Sequence, residues 1–254
     1  MKLLVTGAAS GIGRALADQL MAGGHQVFGV DRDAVGIPAG VIPFRVDLTD
    51  ATQVAALVEE AEELDGLANV AGVPGTAPPE TVLRVNFLGT RRLTEAVLPR
   101  LRPGAAVVNV ASLAGRRPVC DDEVAWRLQA APDEQILRYA KAENLAGSDA
   151  YDLSKKLLVT WTVATAAAQL PRGVRVNAVS PGPIETPIID DFRTSMGASV
   201  EGAASVVGRH GRPEEVAAAA AFLLSPAASW VNGVDLELDG GLLAARAVAL
   251  REDG

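Results

Sequence analysis

Short runs of β-branched and other apolar residues recur along the chain, separated by stretches whose apolar residues fall three or four apart. The runs are KLLVT (2–6), QVFGV (26–30), VIPFRV (41–46), GLANVA (66–71), AAVVNVA (105–111), VRVNAV (174–179) and VDLEL (234–238). They are continuous more than alternating, as strands buried on both faces should be. Between them, Leu16, Leu20 and Met21, then Val54, Leu57, Val58 and Ala61, repeat at helical spacing. Strand alternating with helix predicts a parallel sheet with right-handed crossovers and helices on both faces. Seven strands in 254 residues predict one doubly wound (Rossmann-type) α/β domain spanning 1–254, without repeat or linker.

One segment breaks this rhythm. From Arg116 to Asp149 there is no strand pattern; Val124, Leu128 and Ala131 recur at helical spacing, and Pro132 followed by Asp133 and Glu134 predicts the first turn of another helix. Residues 116–149 are therefore expected to be a helical insertion, a class of element used as lid, binding loop or interface.

The first strand runs straight into TGAASGIG, which opens the first helix. Gly7 permits a tight turn, Gly11 and Gly13 permit close backbone approach, and with Ser10 and Ile12 the loop is a candidate pyrophosphate cradle at a helix N-terminus. The second strand ends at Asp31, eighteen residues beyond Gly13. A carboxylate there accepts hydrogen bonds from ribose hydroxyls and repels a 2′-phosphate. Arg32 beside it would favour that phosphate instead, but the glycine loop itself holds no basic residue, so NAD is expected over NADP. Asp47 and Leu48, ending the third strand, and Asn69, Ala71 and Gly72, ending the fourth, are placed to meet the adenosine, although both groups serve equally as turn residues.

Composition narrows the partners. The net charge of −8 disfavours nucleic acid and anionic membranes, and no apolar run approaches the roughly 20 residues of a membrane span. MKLLVTGAASG reads as a first strand, not a leader, so a cytoplasmic location is expected. The single Cys120 cannot form an internal disulfide, and two histidines, His25 and His210, give no metal site.

The remaining candidate chemistry is YDLSK (151–155). Tyr151 and Lys155 stand one helical turn apart on one face, so an ammonium would stabilise the phenolate. Tyr139, the only other tyrosine, has Glu143 at the same spacing, which opposes ionisation; it is expected to pack within the insertion.

In order, TGAASGIG, Asp47, NVAG, Asn86 in VNFLG, Ser112 in VVNVASLAG, YDLSK, VNAVSPGPIETP and VNGVDLELDGG resemble the short-chain dehydrogenase/reductase superfamily over essentially the whole chain. AGVPGTAPPETVLRVNFLGTRRLTEAVLPRL and SPAASWVNG resemble its bacterial branch of coniferyl-alcohol dehydrogenases and 3α-hydroxysteroid dehydrogenase/carbonyl reductases, which also carries an insertion before the catalytic tyrosine. Two departures are Val70, where the family has a second asparagine, and Ala111, where a serine often precedes the catalytic one. The resemblance implies that Tyr151 exchanges the alcohol proton, Ser112 holds the substrate oxygen, Lys155 also grips the nicotinamide ribose, and Asn86 orders a water linking Lys155 to solvent. It implies further that Pro181, Gly182, Ile184 and Thr186 close over the nicotinamide, that 187–210 is a mobile substrate loop, and that the protein is a homo-oligomer, dimer or tetramer.

Ile188, Ile189, Phe192 and Met196 on that loop and Trp126 on the insertion are expected to wall an apolar pocket for an alcohol or ketone of aromatic or hydroxysteroid type. Two other functions stay open: an NADPH-dependent carrier-protein ketoreductase, which should show a basic glycine loop and no large insertion, and a non-catalytic nucleotide sensor, which should show a damaged catalytic set.

Overall fold

The computed structural model describes residues 1–61, 63–187 and 189–252, with the side chains of all of these except Phe192, Arg193, Ser195, Met196, Ala198, Ser199, Val200, Glu201 and Glu252. The strands are β1 (Lys2–Thr6), β2 (Gln26–Asp31), β3 (Ile42–Arg45), β4 (Leu64–Asn69), β5 (Leu101–Val110), β6 (Arg175–Pro181) and β7 (Asp235–Leu238). They form one seven-stranded sheet in the order 3-2-1-4-5-6-7, with every neighbouring pair parallel. β5 starts earlier than its apolar run, because Leu101 pairs with Leu64 before a register shift.

The helices are α1 (Gly11–Ala22), α2 (Ala51–Glu60), α3 (Pro79–Leu83), α4 (Thr90–Val97), α5 (Asp122–Gln129), α6 (Asp133–Ala142), α7 (Gly147–Ala168), α8 (Ile189–Val207), α9 (Pro213–Leu224) and α10 (Leu242–Glu252). Successive strand residues face opposite ways, so Leu3 and Val5 pack against Leu16 and Leu20 of α1 and Val216 and Leu223 of α9. Leu4, between them, packs on the other face with Val54 and Leu57 of α2, Leu93 of α4 and Ala166 of α7. Each such leucine contributes about 2 kcal/mol by leaving water. Two-sided burial is what made the strand runs continuous in sequence.

A buried polar chain fixes the second face. Asn69 Nδ2 donates to Thr94 Oγ1 and to Asn109 Oδ1, both at 2.8 Å, and Asn109 Nδ2 donates to Thr162 Oγ1 at 2.8 Å. β4, β5, α4 and α7 are thus tied together by side chains that would each lose a partner if one element shifted.

The insertion is helical, as expected. α5 and α6 bury Leu128 and Ile136 in one cluster with Leu153, Leu157 and Trp161 of α7 and with Phe87. Arg91 of α4 locks it. Its Nη1 donates to the carbonyls of Gln129 and Ala131 (2.9 Å each), and its Nη2 to Asp133 Oδ1 at 2.6 Å. A cation therefore caps the C-terminal carbonyls of α5 and holds an acid in the first turn of α6, the favourable sign at both ends. Arg92 pairs with the other oxygen of Asp133 at 2.9 Å. Among the described residues no helix is long and apolar enough to cross a membrane.

Replacing Arg91 with methionine leaves two carbonyls and part of a carboxylate without their donor. We expect a loss of about 3 kcal/mol in urea unfolding; a loss below about 1 kcal/mol would show that the insertion is held by its apolar cluster alone.

Candidate active site

The sheet reverses its winding between β1 and β4, where a crevice opens at the carboxyl ends of the strands, the usual place for a ligand in this architecture. A cleft of about 590 Å³ occupies it. At one end lies the 7–13 loop. Gly11 has φ +51°, and a Cβ there would reach to 3.2 Å from Thr186 across the cleft; a Cβ on Gly13 would lie 2.2 Å from the Gly7 carbonyl oxygen. Side chains at these positions would fill the space between loop and opposite wall or push α1 off β1, so the loop is shaped as a cradle for a close-lying phosphate group.

Asp31 is held over this loop: its Oδ2 accepts from the Ala9 N–H and its Oδ1 from the Asp33 N–H, each at 3.1 Å. Arg32 lies exposed beside it, also on the cleft. Asp47 and Leu48 line the same end, and Asp47 Oδ1 accepts from the backbone and hydroxyl of Thr49, so its position is set by turn chemistry. Ala71 and Gly72 line the cleft, but Asn69 does not. Its Nδ2 is committed to the buried chain with Thr94 and Asn109, so its side chain is turned away from the cleft. Where Val70 replaces a polar residue, Thr6 Oγ1 meets the Val70 and Ala71 N–H groups at 2.9 and 3.1 Å. The departure therefore leaves the end of β4 with polar partners.

At the other end stand Ser112, Tyr151 and Lys155, all on the cleft. Ser112 follows the last residue of β5 by two, and its Oγ accepts from the Ala114 N–H at 3.2 Å. α7 begins at Gly147, where the Asp149 carboxylate accepts from the Ala146 N–H (3.0 Å). Tyr151 consequently lies inside the helix and buried, with its hydroxyl hydrogen-bonded to Ser112. Lys155 is buried one turn on; its Nζ donates to the Val110 carbonyl at 2.9 Å and lies 5.5 Å from the Tyr151 ring centre.

The electrostatics differ from the sequence-based expectation. Burial pushes the Tyr151 phenol up to about 12, against the Ser112 hydrogen bond and the Arg117 charge, with Asp152 adding to the rise. Burial likewise brings the Lys155 ammonium down to about 8. Desolvation disfavours both charged forms, so the protein alone holds a neutral phenol beside an ammonium near pH 7. Tyr139 is half-buried in the insertion, its phenol raised by burial first and then by Cys120 and Glu143, and takes no part in the cleft.

Asn86 is buried in a π-helical turn, Arg84–Gly89, between α3 and α4, a local geometry often found at functional sites. Its side chain closes a two-way bond with Val73, accepting from the N–H at 2.8 Å and donating to the carbonyl at 3.0 Å. It stands behind the cleft wall rather than on it; a Cβ on Gly72 would lie 3.2 Å from its Oδ1 and 3.9 Å from Lys155 Nζ.

Pro181, Gly182, Ile184 and Thr186 line the cleft as expected. Most of the following stretch, expected to be the substrate loop, is α8. Its two ends are clasped where Glu185 N–H donates to the Gly211 carbonyl (2.8 Å) and Gly211 N–H to the Pro183 carbonyl (3.0 Å). The apolar wall is redrawn. Trp126 points away, 48% exposed, because α5 buries Ala125 and Leu128 against α7 and leaves Trp126 on its outer face. Ile189 is not on the cleft either; Ile188 and the side chains of Phe192 and Met196 lie outside the described residues. The wall is built from Leu113 and Pro118 at the root of the insertion and from Leu242 and Leu243 of α10. α10 gave no sequence signal because LLAARAVALRE carries no clear apolar stripe.

Comparison with known proteins agrees with this geometry. Residues 2–122 match the short chain dehydrogenase model, and residues 135–243 match the enoyl-(acyl carrier protein) reductase model. A coniferyl-alcohol dehydrogenase of Pseudomonas sp. strain HR199 is 36% identical over 251 residues, covering 95% of this chain and 96% of its own. A 3-alpha-hydroxysteroid dehydrogenase/carbonyl reductase of Comamonas testosteroni is 35% identical over 255 residues, covering 94% and 95%. The crystal structure of the 3-alpha-hydroxysteroid dehydrogenase from Pseudomonas sp. B-0831 complexed with NADH superimposes with a TM-score of 0.83 at 32% identity, covering 98% of this chain and 99% of that one. With a doubly wound sheet, a glycine cradle and a buried Tyr–Lys pair meeting in one cleft, and relatives this similar along nearly their full length, the chain belongs to the short-chain dehydrogenase/reductase family of oxidoreductases.

Proposed function

We propose that this protein is an NAD-dependent dehydrogenase that transfers hydride between the nicotinamide and an apolar alcohol or its carbonyl partner, of aromatic-alcohol or hydroxysteroid type. The observation that carries this reading is the hydrogen bond between Tyr151 and Ser112 on the cleft wall, with Lys155 behind them and the glycine cradle at the cleft's other end. The substrate type is suggested by the coniferyl-alcohol and hydroxysteroid relatives. NAD is supported by the NADH complex of the structural relative and by Asp31, whose fixed carboxylate suits two ribose hydroxyls and repels a phosphate. The residues fit the dinucleotide: Gly7, Ser10, Gly11, Ile12 and Gly13 would cradle its phosphates, Asp31 the adenosine ribose, and Ile184 and Thr186 the nicotinamide side.

NAD supplies the hydride acceptor beside the carbinol carbon and, in its oxidised form, a positively charged ring. Ser112 holds the substrate oxygen in reach of Tyr151, and Tyr151 takes the alcohol proton in oxidation or returns it in reduction. Bringing the phenol from about 12 to neutrality requires about 7 kcal/mol. The Lys155 ammonium beside the ring favours the phenolate, and the positive ring of a bound oxidised cofactor would add to it, so Tyr151 would be a stronger base in that complex than in the protein alone. The runner-up, NADP dependence, rests on Arg32, which lies exposed beside Asp31 at the same end of the cleft.

Tyr151→Phe should lower kcat by at least about a thousandfold while NADH affinity, followed by fluorescence, stays within about threefold; residual activity within tenfold of the parent would refute the acid–base role. Asp31→Ala should lower the ratio of kcat/KM for NAD over NADP by at least about tenfold, and an unchanged ratio would remove Asp31 from cofactor selection.

A further inference from the structure

The nicotinamide end of the cleft carries a charge pattern that an alcohol with an entirely apolar body does not use. In a chain of net charge −8, the charged side chains lining this end, among the described residues, are Lys155, Arg116, Arg117 and Arg246; the lining carboxylates, Asp31 and Asp47, belong to the adenosine end. Arg116 and Arg117 follow Ser112 by four and five residues, so the turn that positions the substrate oxygen also delivers two guanidinium groups to the same wall.

Acids that do not line this cleft orient both groups. Arg116 pairs with Glu237, and with Asp235 at 3.9 Å. Arg117 sits 3.4 Å from both oxygens of Asp152, the buried residue that follows Tyr151. Arg116 meets both of its acids through Nη2, so the rest of its rigid five-donor fork remains for a second anion, and Arg117 adds its charge to the same wall. Arg246 completes the set from the opposite element. It stands one turn beyond Leu242 on α10, is exposed, and has no ion pair or hydrogen bond among the described residues. Leu113 and Pro118, which flank Arg116 and Arg117 in the chain, and Leu242 and Leu243, on α10 with Arg246, give the same cleft apolar lining.

We propose that this end of the cleft is a carboxylate subsite, so that the substrate is an alcohol or ketone whose apolar body ends in a carboxylate, bound by Arg246 together with Arg116 and Arg117. The apolar wall takes the body, and the guanidinium forks take the acid, for which a planar carboxylate is the matched partner. The proposal deepens the dehydrogenase reading and rests on it for the identity of the cleft's two ends.

The test separates the two. 4-(Hydroxymethyl)benzoate and 4-(hydroxymethyl)cinnamate, each against its methyl ester, are titrated calorimetrically into the NADH complex, in which an alcohol finds no hydride acceptor; the same compounds are then assayed for turnover with NAD. Because Arg246 is exposed and unpaired, Arg246→Ala and Arg246→Glu should fold normally. In the parent at least one acid should bind ten or more times tighter than its ester; Arg246→Ala should bring that ratio within about threefold of one, and Arg246→Glu should favour the ester. Equal binding of acid and ester at both lengths, or an unchanged ratio in Arg246→Glu, overturns the subsite. A retained acid preference without hydride transfer from any alcohol supports the subsite and counts against the dehydrogenase reading; turnover without acid preference does the reverse.

Discussion

Lys155 is a cation taken out of water by the packing of α7 against β5 and the turn that follows it, and much of the site depends on that burial. Among the described residues its Nζ makes one hydrogen bond, to the Val110 carbonyl, at the end of the strand that also delivers Ser112. The desolvation that brings the ammonium down to about 8 also raises the neighbouring phenol to about 12. A site built this way is costly for the fold, since each charged form is disfavoured, and the cost is tolerable only because α7 is held on several sides.

Those supports come from distant parts of the chain. Asn109 and Thr162 tie β5 to α7, Asn69 and Thr94 tie β4 to α4, and the insertion lays Leu128 and Ile136 against Leu153 and Leu157 on α7 itself. Arg91 then binds the insertion back to α4, just beyond the π-helical stretch that carries Asn86. The insertion is thus a buttress for the two helices that carry Asn86, Tyr151 and Lys155, and only its root, Arg116 to Pro118, reaches the cleft.

The sheet was legible because two-sided burial writes continuous apolar runs, and the cradle because Gly11 and Gly13 answer to geometric needs that other residues do not meet. Ser112, Tyr151 and Lys155 were legible because the ordered motifs resemble those of one family, with Tyr151 and Lys155 one helical turn apart. What the sequence hid were side-chain directions and the consequences of burial. The Asn69 side chain joins a polar chain inside the fold, through partners 25 and 40 residues away. Trp126 is expected on the pocket wall, but α5 buries Ala125, Leu128 and Gln129 and leaves Trp126 on its outer face. The effect of Lys155 on Tyr151 was argued from spacing, and spacing says nothing of how far both groups leave water. α10, with its uniform alanine–leucine composition, brought Leu242, Leu243 and Arg246 to the cleft without a periodic signal.

The central claim of the proposed mechanism is that Tyr151 becomes a better base when a second positive charge joins Lys155. By linkage, a ligand that lowers the affinity of a group for its proton must release that proton as it binds. Calorimetry of NAD binding in buffers of different ionisation enthalpy, repeated with NADH, measures this directly. The account requires that oxidised NAD release up to about one proton between neutral and mildly alkaline pH, that NADH release markedly less, and that Tyr151→Phe abolish the difference. Equal proton release by the two forms, or a difference that survives in Tyr151→Phe, would contradict it.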